Sequence, residues 1–186
     1  AEEITLDLNE LGKEHKFLAL GAYAASDDGN LLAYSIDTTG FREYVLYVRD
    51  LKTGKLLAER IEKTGSVVWT SDNRTLFYTI EDVAKRPYRL YRHRLGEKTD
   101  ELVYEESDER FRLFATRSRS KAYIFLVSAS HTAAEARYLA ADRPADPWKL
   151  VAPREPEHEY YIDHHGDLFY ILTNKGATNF KVMTCP

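Results

Sequence analysis

Cysteine is almost missing. Cys185 is the only one among 186 residues, which excludes a disulfide framework. Methionine also occurs once, and glycine and proline total only nine and six. No apolar run approaches the ~20 residues that a membrane-crossing helix needs, so no membrane partner is expected. A basic excess is missing too: 26 Lys and Arg stand against 30 Asp and Glu, a net charge of −4. That balance favours solubility and argues against a nucleic-acid partner, which usually selects for a cationic surface. The opening Ala1-Glu2-Glu3 is acidic and lacks the basic-then-apolar order of a secretory signal. With one cysteine, this predicts a cytoplasmic setting.

Aromatic residues are abundant. Thirteen Tyr, eight Phe and two Trp make up 12% of the chain. Such side chains suit a pleated, half-buried surface, and the composition predicts an all-β fold.

One pattern occurs four times. Ser26-Asp27-Asp28-Gly29-Asn30-Leu31-Leu32-Ala33-Tyr34 aligns with Thr70-Ser71-Asp72-Asn73-Arg74-Thr75-Leu76-Phe77-Tyr78. Ser118 to Ile124 and His164 to Tyr170 are weaker copies. Tyr34, Tyr78, Ile124 and Tyr170 are spaced by 44, 46 and 46 residues. Before each turn comes a short run: Leu20 to Ala24, Ser66 to Trp69, Arg112 to Thr116, Tyr160 to Asp163. After each comes another: Tyr44 to Val48, Arg89 to Arg92, Arg137 to Leu139, Phe180 to Val182. A last anchor reads Gly54 to Leu57, Asp100 to Tyr104 and Trp148 to Val151. The runs alternate with the period of strands, not helices.

Four short antiparallel strands in about 45 residues is the size of a propeller blade. The chain is therefore predicted to be a β-propeller segment of about four four-stranded blades, in the chain order inner, second, third and outer strand. The expected divisions are a lead-in over 1–15, blades over 16–62, 63–107 and 108–155, and an incomplete fourth over 156–186. Asp50 to Gly54 reads as a hairpin turn with glycine at a positive φ. The fourth copy lacks an outer strand. Glu3 to Leu8 reads as a surplus strand, expected to pair beside Phe180–Thr184, because an uncovered edge exposes unpaired backbone groups. Unclosed edges also make a homodimer plausible. Four unrelated hairpins in a sandwich are the competing arrangement.

Chemistry is sparse. There is no Gly-x-Ser-x-Gly elbow and no glycine-rich phosphate loop, and nothing calls for a cofactor. Cys185 has no neighbours that would activate a thiol. His158, Glu159, Asp163, His164, His165 and Asp167 offer metal-ligand types, but position 162, where a helical zinc motif needs its second His, is Ile, and adjacent residues on a strand face opposite ways. A polar turn is the simpler reading, and no metal site is expected. Arg86, Arg89, Arg92, His93 and Arg94 interleave with Tyr88 and Tyr91. This reads as a strand with solvated arginines, offset by Glu81, Asp82, Glu97 and Asp100. Glu105 to Glu109 reads as a solvated acidic loop. Phe41 and Arg42 lie in the loop between the second and third strands of the first copy, where Phe41 either meets a partner or folds back onto the blade.

The wording of several runs resembles a known family. Leu6-Asp7-Leu8-Asn9-Glu10, Ser26 to Ser35, Asp37 to Arg42, Thr75 to Thr79, Tyr88 to Gly96, Ser130-His131-Thr132 and Glu159 to Tyr170 resemble the propeller of the oligopeptidase B branch of the prolyl oligopeptidase family. The resemblance covers essentially the whole chain, although none of these motifs is catalytic. It implies a seven-bladed propeller covering an α/β-hydrolase domain with a Ser-Asp-His triad, acting on short peptides after Arg or Lys. This sequence holds about four blades, and no position matches the triad, so no catalytic residue is carried over. What the resemblance leaves to this segment is gating beside its partner domain. Lys63, Thr64 and Gly65, before the second inner strand, are expected at the substrate channel or domain interface, together with Phe41 and Arg42. A free-standing interaction scaffold and a divergent metal-dependent hydrolase around His158, Asp163 and His164 are the alternatives from other classes.

Overall fold

A computed structural model describes residues 2–186. The four copies form four separate antiparallel sheets. The first holds β1 (Ala19–Ala25), β2 (Leu31–Asp37), β3 (Val45–Asp50) and β4 (Leu56–Glu62). The second holds β5 (Thr64–Trp69), β6 (Thr75–Glu81), β7 (Pro87–Arg94) and β8 (Glu101–Glu105). The third holds β9 (Arg112–Arg117), β10 (Tyr123–Ala129), β11 (Ala134–Ala140) and β12 (Lys149–Ala152). The fourth has three strands: β13 (Tyr160–His165), β14 (Leu168–Thr173) and β15 (Lys181–Cys185). Spatial order follows chain order in every sheet. The strands lie where the recurring runs place them, so these are blades, not hairpins shared between two sheets of a sandwich.

Burial follows blade geometry. Second strands are sandwiched between neighbouring blades and are apolar on both faces: Leu32, Ala33 and Tyr34 in β2, and Leu76, Phe77 and Tyr78 in β6, are all buried. The peripheral β4 alternates exposed and half-buried positions instead. Each seam has its own core. Ala33, Leu46 and Val48 meet Val67, Trp69 and Leu76 between the first two blades. Val68, Phe77 and Leu90 meet Leu113, Ile124 and Leu139 between the next two. Ala134 and Ala136 meet Tyr160 at the last seam.

The repeated turn has a shared construction. In the first three copies a hydroxyl opens it, Ser26 Oγ to Asp28 at 2.6 Å, Thr70 Oγ1 to Asp72 at 2.5 Å and Ser118 Oγ to Ser120 at 2.9 Å. Its fourth residue is left-handed: Gly29, Asn73 and Lys121 have φ of 70°, 55° and 63°. In the fourth copy His165 pairs directly with Leu168, so only Gly166 and Asp167 turn the chain. Gly54 takes φ 71° in the β3–β4 turn, as expected.

The lead-in departs from expectation. Ile4 to Asp7 form no strand, and Ile4 is 77% exposed. Asp7 instead caps a short helix, α1 (Leu8–Gly12), its Oδ1 accepting the N–H groups of Asn9 and Glu10. An aspartate followed by good helix formers satisfies its local donors this way more readily than a strand across the molecule could. Among the described residues no strand pairs with the outer edge of β15.

Candidate functional site: the loop face

Up-and-down strand order gives the arc two ends. The β1–β2 and β3–β4 turns and their counterparts share one. The β2–β3, β6–β7, β10–β11 and β14–β15 loops share the other with the connections between blades; we call this end the loop face. Of the five residues expected at a channel or interface, Phe41, Arg42 and Lys63 belong to it, and Thr64 and Gly65 are the first two residues of β5. Arg42 and Lys63 both take positive φ, each 57°. The loops meet across the first seam, where Thr64 N donates to Tyr44 O at 3.1 Å, Glu81 N donates to Lys63 O at 2.9 Å and Lys85 is ion-paired with Glu43 at 3.3 Å.

The side chains differ in what they present. Phe41 is 73% exposed and does not fold back onto its blade. The loop beneath it is fixed by Asp37, whose carboxylate accepts from Thr39 N, Thr39 Oγ1 and Arg42 N at 2.7–2.8 Å. Burial opposes ionisation there, but these hydrogen bonds prevail and hold the Asp37 carboxyl below its ordinary range. Lys63 is exposed, whereas Thr64 is buried and donates Oγ1 to Ile61 O at 2.9 Å. Gly65 lies inside β5; a Cβ there would stand 2.6 Å from Thr79 Oγ1.

Further round the same face is a cleft of about 690 Å³ walled by the segments 109–112, 130–133 and 154–157. Arg154, one of its lining residues, belongs to a polar network. Arg154 donates to Glu106 and, at 3.0 Å, to Ser128 Oγ, and its guanidinium lies 3.5 Å from the centre of the Phe111 ring. Ser128 Oγ in turn donates to Glu106 Oε2 at 2.6 Å. Burial raises the Glu106 carboxyl, but the hydrogen bonds from Arg154, Ser128 and Asp108 N outweigh it and keep it low. Glu106 is only 4% exposed, which corrects the solvated acidic loop expected over 105–109. No local signal marks it, because its counter-charge comes 48 residues later.

Arg86 corrects a second expectation. Its side chain is 12% exposed rather than solvated. Nε pairs with Asp82 at 3.0 Å, and Nη1 donates to the carbonyls of Glu106, Asp108 and Phe111 at 3.2–3.3 Å, pinning the connection between the second and third blades. The neighbouring arginines are also paired, Arg89 with Glu105 and Arg92 with Glu101, and His93 Nδ1 lies 2.7 Å from Asp100. The histidine-rich segment is likewise structural. His164 Nδ1 lies 2.8 Å from Ser120 Oγ, and its ring packs on Tyr123 and Phe169. His158 Nε2 lies 3.0 Å from Thr173 Oγ1. Among the described residues no three His, Cys, Asp or Glu side chains converge as a metal site, and no helix is long and apolar enough to cross a membrane.

A blade arc with this loop face has well-defined relatives. The family described as prolyl oligopeptidase, N-terminal beta-propeller domain, matches residues 1–186. The chain belongs to this family. It is 40% identical to Protease 2 of Moraxella lacunata over 190 residues, covering all of this chain and 28% of that protein. It is also 40% identical to Dipeptidyl aminopeptidase BI of Pseudoxanthomonas mexicana, covering all of this chain and 26% of that one. Among solved structures, oligopeptidase B from Leishmania major superposes with a TM-score of 0.93 at 27% identity, over 100% of this chain and 27% of the other. The closed form of oligopeptidase B from Trypanosoma brucei, with covalently bound antipain, gives 0.88 at 30% identity over 98% and 26%. The family chain thus spans about a quarter of the length of the curated relatives it matches.

Proposed function

We propose that this chain is the gating part of a serine oligopeptidase that cleaves short peptides after arginine or lysine. Its loop face covers an α/β-hydrolase domain supplied by the rest of the parent protein. The observation that carries this reading is a coincidence of position. Exposed Phe41 and Lys63, the positive-φ Arg42 and the cleft over Arg154 all lie on one end of the arc. That end is rigid, since Asp37 fixes its own loop, and Arg86 and the Glu106–Arg154 pair each fix a loop to its neighbour. A rigid rim admits a narrow peptide and turns away a folded protein, and closure over the partner domain keeps water from the reacting groups. The chain's own residues position and exclude; the nucleophile belongs to the partner domain. The free, exposed Cys185 suits a reducing cytoplasm.

The test compares this chain with the product of its full reading frame, using short fluorogenic arginyl and lysyl peptides and a peptide several times longer. The full product is expected to cleave the short substrates, to resist the long one and to be stopped by a serine-reactive inhibitor. The isolated chain is expected to turn over neither. Inhibitor-sensitive turnover by the isolated chain, or no cleavage after Arg or Lys by the full product, overturns the proposal.

A further inference from the structure

Two buried polar atoms, on side chains that meet across the seam between the first two blades, lack hydrogen-bond partners. They are His93 Nε2, on β7, and Glu59 Oε2, on β4. Both side chains are 7% exposed, and Nε2 lies 3.7 Å from Glu59 Oε1, which already accepts Gly96 N–H at 2.9 Å. The other ring nitrogen, Nδ1, lies 2.7 Å from Asp100 Oδ1 in the β7–β8 connection. The second Asp100 oxygen accepts the Tyr78 hydroxyl from β6. Burial, with Asp100 beside it, pushes that hydroxyl far above its ordinary range and keeps it a donor. Among the described residues neither Glu59 nor Asp100 is ion-paired with lysine or arginine, so His93 is the only base either carboxylate meets.

These contacts constrain the protons. Asp100, taking the Tyr78 hydroxyl, is an acceptor, so Nδ1 carries a hydrogen. In a neutral ring Nε2 would then direct its lone pair at a buried carboxylate, acceptor against acceptor, with two unsatisfied groups out of water. A hydrogen on Nε2 removes that conflict and sets one positive charge between two negative ones.

We propose that His93 is a proton-dependent rivet between the first and second blades, bridging Asp100 and Glu59 as an imidazolium and loosening the seam when Nε2 is deprotonated. The titratable groups that face it are Glu59 from β4, Asp100 from the β7–β8 connection and, through Asp100, Tyr78 from β6; Tyr91 on its own strand stacks on Tyr78. The bridge exists only with hydrogen on both ring nitrogens, so the seam is tied while Nε2 carries one and loses that tie when it does not.

The test is the thermal midpoint between pH 6 and pH 9 for the chain and for Glu59→Gln. The amide keeps an acceptor for Gly96 N–H and offers its own N–H to a neutral Nε2, so the variant seam needs no proton. The unmodified chain is expected to lose several degrees across that range and Glu59→Gln to lose much less. Equal losses in both overturn the proposal. A measurement without any variant decides it again: nitrogen-detected NMR of the folded chain at pH 6.5 should find hydrogen on both ring nitrogens of His93, and a bare Nε2 overturns the proposal.

Discussion

Asp27, in the turn after β1, forms a 2.8 Å ion pair with Arg117 at the end of β9, two blades away. Lys121 reaches the same carboxylate at 3.0 Å, and Arg117 also donates to Ser71 Oγ of the blade between, at 2.8 Å. One guanidinium therefore ties three successive inner turns. This is possible only because inner strands converge toward the axis of the arc.

The pair is partly solvated, so its strength is modest. A double-mutant cycle between Asp27→Ala and Arg117→Ala should give a coupling of about 0.5–1 kcal/mol in urea unfolding. The coupling should shrink as salt is raised. A cycle that closes to zero at low salt would remove the tie between first and third blades.

Arg154→Ala strands the buried Glu106 carboxylate without its counter-charge. We expect a loss of about 3 kcal/mol, typical of removing one partner from a buried pair, seen as a lower urea midpoint. Glu106→Gln should cost less, because the amide oxygen still accepts from Ser128 and Arg154. Arg154→Ala costing no more than an exposed arginine change would refute the role given to the network.

Acid should act through the same group. The Glu106 carboxyl is held below its ordinary value in the folded state. Its stabilisation is therefore complete above the ordinary glutamate range and lost as pH falls through the lowered value. Thermal midpoints of the chain should drop on acidification, and Glu106→Gln should show a shallower drop. Parallel acid profiles would assign the loss to other carboxylates.

Gly65 has a close neighbour and an ordinary negative φ. A Cβ would stand 2.6 Å from Thr79 Oγ1, the same oxygen that accepts Ser66 N–H at 2.8 Å. The first blade repeats the arrangement, with Gly21 against Ser35 Oγ, the acceptor of Ala22 N–H. Gly65→Ala should cost about 1–3 kcal/mol through overpacking. Pairing it with Thr79→Ala should recover part of the loss in a chemical denaturation series, and no recovery would point to backbone strain instead.

The sequence by itself determined the blades. Hydroxyl-led turns at Ser26, Thr70 and Ser118, 44 and 48 residues apart, and runs of period two fix each strand's place locally, because turn chemistry and side-chain alternation act over a few residues. The tertiary structure alone decided what lies between blades. Glu106 and Arg154 are 48 residues apart, Asp27 and Arg117 are 90 apart, and Glu59 meets His93 across a seam. None of these carries a local signature, since a charge looks alike in sequence whether water or a distant partner neutralises it. The lead-in shows the opposite case: Ile4 to Leu8 alternates like a strand, yet a single capping aspartate turns the chain into α1, because the nearest unsatisfied donors are its own.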